Sequence, residues 1–498
     1  MKNGVKIFLI LSTLYPLYVT ATDLFVTQTG SGNICSQSSP CSLGSALGSA
    51  GSGDTIYMGE GNYTIATSPM ITLDQNPIQL IGGWDGVDSH SINVYPDVHV
   101  SVIDGNDNYQ CMQLDPGSSV NIVGLTIANC RSDNNGSAIY GMGVDYLQLE
   151  DSKLVNNFAS SSLLSKVYGG ALFFQGDRIM IENTLFDDNG VLAVAGCYGG
   201  AVAIKDANAT ISKNRFTHNA GYDIAAFYYD GVTKDSSKLL FNENNITDNG
   251  LKGLKTRSQK GIVLLKDVNA TFGKNLIANN FYPTHDSLVS YFFQTKNIYF
   301  QFYSNFVFHN TFKSHLFDLR DTTVNMVNNA VVQNYAVGSN DTTIYSINTS
   351  SVYKMYLIHN TFADNNSTNC LFRELDGSYV IDNNIFANCD IALNNGHSNM
   401  SASNNLADHV GAFAGGCEAS GVMETDTVIG SAHFLNPSAG DYHIRKNSDA
   451  QNRALATTLS EDFDGDGRPQ ESVADIGADE YTPGREYFNT SVLMYLLN

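Results

Sequence analysis

The pattern Asn-x-apolar-x-x-Asn recurs along most of this chain, and it leaves few folds open. It reads "NRFTHN" ending at Asn219, "NNITDN" ending at Asn249 and "NLIANN" ending at Asn280. It continues as "NFVFHN" at Asn310, "NAVVQN" at Asn334, "NTFADN" at Asn365 and "NIFANC" at Cys389. Looser copies come earlier, in "LTIANC" at Cys130, "SKLVNN" at Asn157 and "TLFDDN" at Asn189. Successive endpoints lie 24 to 32 residues apart. Self-similarity at such a period means a stacked array, in which each unit buries its apolar face only against its neighbours.

The runs between the asparagines identify the unit. "ALFFQ", "AVAIK", "GIVLLKD", "IYFQFYS" and "KMYLIHN" are short, alternating or fully apolar, and rich in β-branched and aromatic residues. No capped helical period is sustained, and Asn, Gly, Asp and Ser punctuate every eight to ten residues. A sandwich or a propeller would also use regular short strands. Both need hairpins, and no Asn-Gly or Asp-Gly joins alternating runs at a fixed spacing. The expected fold is therefore all-β, a single right-handed parallel β-helix of roughly eleven or twelve coils with a short N-terminal capping helix. The repeated asparagine is expected at a turn, adopting left-handed φ and bonding its counterpart one coil away. The paired glycines of "YGGA" suit a tight corner.

The opening "MKNGVKIFLILSTLYPLYVTATD" has the basic start, short apolar run and small residues of a cleaved export signal, expected at residues 1–22. The rest divides into a cap and first strand (23–64), the repeats (65–410), an irregular closing segment (411–482) and a tail (483–498). Loss of Lys2 and Lys6 takes the formal charge from −22 to −24. Such a surface repels nucleic acid, and an acidic polysaccharide would need a bridging cation or a local basic patch. All eight cysteines follow the leader, an even number suited to an oxidising compartment. Three bridges are expected, Cys35–Cys41, Cys111–Cys130 and Cys370–Cys389, with Cys197 and Cys417 left open.

Asp23–Thr64, ending "GDTIYMGEGNYT", and "VIDGNDN" at Val102–Asn108 resemble the leading coils of secreted bacterial pectate-lyase-like β-helix proteins. "FLNPSAGDYHIRKNSDA" and "DFDGDGRPQESVADIGADEY" are similar to the closing segment of the group called choice-of-anchor Q proteins, although "KNSDAQNRALAT" departs from it. The "GGA" and "FxxN" repeats are similar to the passengers of chlamydial polymorphic membrane proteins, which are adhesins. These resemblances imply fold and export, with no single activity; no C-terminal β-barrel is expected.

The candidate chemistry is sparse. Asp462, Asp464 and Asp466 before Gly467 form the first half of a calcium loop, but Val473 stands where such a loop needs Glu; the other reading is a tight acidic turn. Calcium is the one cofactor these residues suggest. Lyase chemistry needs a basic residue beside carboxylates, and Lys205, Arg257, Lys260, Arg320 and Arg373 share no register readable from sequence. His218, His309 and His359 read as surface turn residues. In "NIYFQFYS", alternation sends Ile298, Phe300 and Phe302 inward and Tyr299 and Tyr303 outward, where the tyrosines either stack on sugar rings or pack under a loop. Sequons are numerous, Asn62, Asn208, Asn245, Asn269, Asn348 and Asn489 among them, and arise by chance in so Asn- and Thr-rich a chain. The expected function is presentation of a lateral surface to a glycan or a partner cell by an exported monomer with no catalytic residue named. The alternative is a polysaccharide lyase or glycoside hydrolase working along the coils, with or without calcium.

Overall fold

The structure is a computed structural model that describes residues 21–66, 71–73, 77–87, 92–162, 165–250, 261–281, 290–337, 342–348, 350, 352–373, 377–395, 400–415 and 422–484. Residues 1–20 of the expected leader, Arg257, Lys260, Cys417 and residues 485–498 lie outside the described residues, as does the side chain of Arg373.

One coil shows how the sequence makes the fold. Gly261–Lys266, Asn269–Gly273 and Leu276–Ala278 are three strands facing three directions, which we call faces one, two and three. Val263, Leu265, Ala270, Phe272 and Ile277 are fully buried between them. The next coil lies parallel and in register: Val263 opposes Phe293, Ala270 opposes Phe300 and Ile277 opposes Val307. Like stacks on like, so Phe241 and Phe272 lie parallel with centroids 4.4 Å apart. Repetition of this coil winds a right-handed parallel β-helix.

Face three carries fourteen strands, from Gly61–Thr64 to Val428–Ile429, and faces one and two join in a sheet of 28. Eleven or twelve coils were countable from the motif because the outermost coils lack its asparagines. At about 4.8 Å per coil the stack is about 60 Å tall. The expected helix, Leu43–Ser49, starts at Ser42, whose hydroxyl accepts the Ser45 N–H, and buries Leu43 and Ala46 at the N-terminal end.

The asparagines form two columns. One runs through Asn157, Asn189, Asn219, Asn249, Asn280, Asn310, Asn334 and Asn365 at the turn from face three to face one. The other runs through Asn214, Asn244, Asn275, Asn305, Asn329, Asn360, Asn384 and Asn405 at the turn from face two to face three. Beyond the first member of each column, each Oδ1 accepts both the N–H and the Nδ2 of the preceding asparagine; for Asn249 and Asn280 both distances are 2.9 Å. The left-handed φ expected of these asparagines belongs instead to the residue before each: Lys213, His218, Asp248, Lys274 and His309 all have φ near +55°. Division of labour explains this. One residue turns the chain, which frees the next to point its amide into the turn and satisfy buried backbone groups.

The first column is bounded at both ends by cysteine in the asparagine's place. Cys130 and Cys389 stand there, and each is bridged within its coil, to Cys111 and Cys370. Cys35 is bridged to Cys41 in the cap. Cys197 is buried, with its sulfur against the backbone of Ala193. The glycine corner is tight: a Cβ on Gly170 would meet the Gly200 carbonyl oxygen at 1.9 Å.

The closing segment folds back along the outside of face three. A hairpin, Phe434–Asn436 with Asp441–Ile444, leads into irregular chain. Tyr442, Ile444, Ala450, Ala474, Ile476 and Ala478 pack onto the outward side chains of that face, among them Phe306, Phe308, Val332 and Ile385. This second core explains why "FVF", "AVV" and "IFA" are apolar at consecutive positions: the strands are covered on both sides.

Candidate functional site

Register on face one brings together residues that are far apart in sequence. Gln175, Lys205, Asp230, Lys266, Lys296 and Arg320 oppose one another in turn on six successive coils. Two residues upstream runs a second outward column, Phe173, Ala203, Tyr228, Leu264, Gln294 and Asp318. The cations read as isolated in sequence, Lys205 and Arg320, thus belong to one line with Lys266 and Lys296 between them. Lys205 and Lys266 are two coils apart with Asp230 between them, and Lys266, Lys296 and Arg320 are one coil apart, so only a winding register could align them.

A cavity of about 360 Å³ opens over the last part of this line, lined by Leu264, Lys266, Gln294, Lys296, Arg320 and Asp321, with Ile347 at its end. Arg320 is fixed on two sides. Its Nε donates to both oxygens of Asp318 at 3.1 and 2.9 Å, and an Nη donates to the Tyr291 hydroxyl at 2.8 Å. Asp318 is fully buried and also accepts the Gln294 amide at 2.9 Å. Burial pushes its carboxyl up, against the pull of Arg320 and Gln294. His315 stacks on Tyr345 at 4.0 Å, and burial, helped by the Arg320 charge, holds its imidazole down at about 4. It is neutral at ordinary pH.

Lys266 has different surroundings. Its ammonium lies 5.4 Å from the Tyr228 ring centroid and 5.9 Å from that of Tyr198. Burial lowers its pKa, and Lys166 and Lys296 push the same way against Asp230 and Asp267. Among the described residues no carboxylate lies within ion-pair distance of Lys205, Lys266 or Lys296, and Asp230 accepts from the Tyr228 hydroxyl at 2.7 Å. The site therefore holds a half-buried lysine whose pKa burial lowers, an exposed lysine and a clamped guanidinium on three adjacent coils.

Apart from Lys205 and Arg320, the described residues singled out by sequence lie elsewhere. Phe300 and Phe302 are buried and Tyr299 and Tyr303 point out, as alternation requires, but on face two. The Tyr299 ring shares Lys234 with Tyr353 at 4.9 and 5.2 Å, and Tyr303 lies over Gly273. Asp462, Asp464 and Asp466 do converge, with oxygens within 4.8 Å. Both oxygens of Asp462 are engaged, however. Oδ1 accepts the N–H groups of Asp464, Gly465 and Asp466, and Oδ2 that of Glu480. Asp464 meets His443 at 3.1 Å.

His218 and His309 occupy the same turn, but His359 occupies the other one. It is buried beneath the closing segment, between Asn383 and Arg468, and is no surface residue. Its imidazole is held down at about 3, mainly by burial and then by Arg468. Arg468 itself is buried, with Nε 3.3 Å from Glu480 and its Nη groups on the carbonyls of Gly477 and Ala478.

No protein-family model matches this chain, and neither does any curated protein. Among solved structures it is similar to pectate lyase Pel9A, at 15% identity over 93% of this chain and 97% of that one, with a TM-score of 0.41. It is also similar to XylC in complex with xylose, at 10% identity over 92% and 98%, with a TM-score of 0.40. Scores at this level say nothing about the site, and the fold rests on the coil register above.

Proposed function

We propose that this chain is an exported glycan-binding solenoid whose ligand is an acidic polysaccharide lying along face one. The observation that carries the reading is the register of Lys205, Lys266, Lys296 and Arg320 beside a cavity, on a chain whose overall formal charge is −22. Lys266, Lys296 and Arg320, each one coil from the next, with Lys205 two coils beyond Lys266, suit a polymer that carries repeated negative groups. Three disulfides and the signal-like start support export. The test is calorimetric titration of the protein with polygalacturonate and with neutral dextran at two salt concentrations. Binding of polygalacturonate alone, weakening with salt and lost in a Lys266→Gln/Lys296→Gln variant, is expected; equal affinity for dextran would refute the reading.

Lys266 favours a second reading, a polysaccharide lyase. A lysine whose pKa is lowered by burial can, in its neutral form, take the proton next to a uronate carboxylate while Lys296 and Arg320 neutralise that carboxylate. The electron pair then forms a ring double bond as the glycosidic C–O bond breaks. Ultraviolet absorbance from an unsaturated uronate, with and without added calcium, separates binding from turnover.

A further inference from the structure

We propose that Arg320 is the specificity-determining residue of this groove, selecting carboxylate over sulfate groups on the polymer, with Asp318, Gln294 and Tyr291 as its positioning residues. The inference rests on the acidic-polysaccharide reading and goes beyond it to the class of sugar acid.

The geometry separates two jobs. Lys266 and Lys296 carry single ammonium groups with rotatable donors, which attract any anion and distinguish poorly between shapes. Arg320 is held. Its Nε is spent on Asp318 and one Nη hydrogen on Tyr291, so three of its five N–H groups remain, two of them forming the end of the fork at Nη1 and Nη2. The guanidinium also lies 5.1 Å from the Tyr291 ring centroid, which fixes its plane. A fixed planar fork matches the two oxygens of a carboxylate in parallel, whereas a tetrahedral sulfate gains less from it. The pairing with Asp318 offsets the long-range pull of Arg320, which makes it a poor general attractor. It leaves shape as its contribution.

The support behind the fork is built from buried polar groups. Asp318 has no exposed surface and is locked from the other side by the Gln294 amide, which lies one coil below. Tyr291 lies on the same strand as Gln294, Ser290–Lys296. Three side chains from two adjacent coils therefore hold one guanidinium at the cavity wall.

The test measures affinity for polygalacturonate and for dextran sulfate at one ionic strength, in the intact protein and in Arg320→Lys, Asp318→Asn and Lys296→Gln. The intact protein should prefer polygalacturonate. Arg320→Lys keeps the charge and loses the fork, so polygalacturonate affinity should fall about tenfold or more while dextran sulfate changes by less than about threefold. Asp318→Asn should narrow the same ratio, and thermal melting reports separately whether it is folded. Lys296→Gln should weaken both ligands together and leave the ratio unchanged. A ratio unmoved by Arg320→Lys overturns the proposal while leaving the acidic-polysaccharide reading standing. Failure of the intact protein to bind either polymer overturns both.

Discussion

Replacing Asn275 by alanine tests the central physical claim, that a buried amide column holds the coils in register. Asn275 is 1% exposed and sits in the middle of the second column. Its Nδ2 donates to the Phe241 carbonyl at 3.0 Å and to Asn305 Oδ1 at 2.8 Å. Its Oδ1 accepts the N–H of Asn244 at 2.9 Å and the Nδ2 of Asn244 at 3.2 Å. Alanine removes all four bonds, worth about 1 kcal/mol net each, and leaves the Asn244 N–H buried without an acceptor at about 1–3 kcal/mol more. The expected cost is about 5 kcal/mol, comparable with the whole stability of an ordinary domain. Asn325→Ala is the control: it is exposed on face two and should change stability by less than about 0.5 kcal/mol. Because coil arrays lose cooperativity as they lengthen, urea unfolding should be paired with hydrogen exchange at the Asn244 amide. Asn275→Ala within about 1 kcal/mol of the control, with Asn244 still protected, would refute the reasoning.

Three further outcomes follow from other parts of the structure. Burial, with neighbouring carboxylates adding, pushes Asp462 up to about 9, Asp475 up to about 7 and Asp479 up to about 6. Groups raised by folding stabilise most below their unfolded pKa and lose that contribution as pH rises through the folded values, whereas His359 acts in the opposite direction only below about 6.5. Protease resistance of the closing segment should therefore fall between pH 7 and about 9, and an unchanged or rising resistance contradicts the assignment. Arg468→Met leaves Glu480 and its acidic neighbours buried without their guanidinium; loss of about 3–5 kcal/mol is expected, seen as cleavage after residue 445 while the coils stay folded. Replacing Cys111 and Cys130 together by alanine opens a loop of 19 residues and should cost about 3 kcal/mol, read as a lower urea midpoint.

How much of this was readable depends on where each residue's constraint comes from. The asparagine pairs flanking "RF", "LI" and "FV" announced turns one strand apart, and alternation in "NIYFQFYS" placed Phe300 and Phe302 inside and the tyrosines outside. The cysteine pairs were legible because Cys35 and Cys41 bracket a short loop of the cap and each of the other two pairs lies within one coil. The shift of left-handed φ to the preceding residue was not, since His218, Lys274 and Asp248 share no chemistry that marks them. Nor was the burial of His359. It looks like its counterparts in "FTHN" and "VFHN", and only the returning chain at Arg468 distinguishes it.

The sequence by itself determined a parallel coil stack, because a repeated unit with one apolar face can satisfy itself only against copies of itself. The tertiary structure alone decided the site. Lys205, Asp230, Lys266, Lys296 and Arg320 fall into one line only once coils of 25, 36, 30 and 24 residues are wound to a common register. Each unequal length is absorbed by the turns, and no local pattern records where a turn returns the chain.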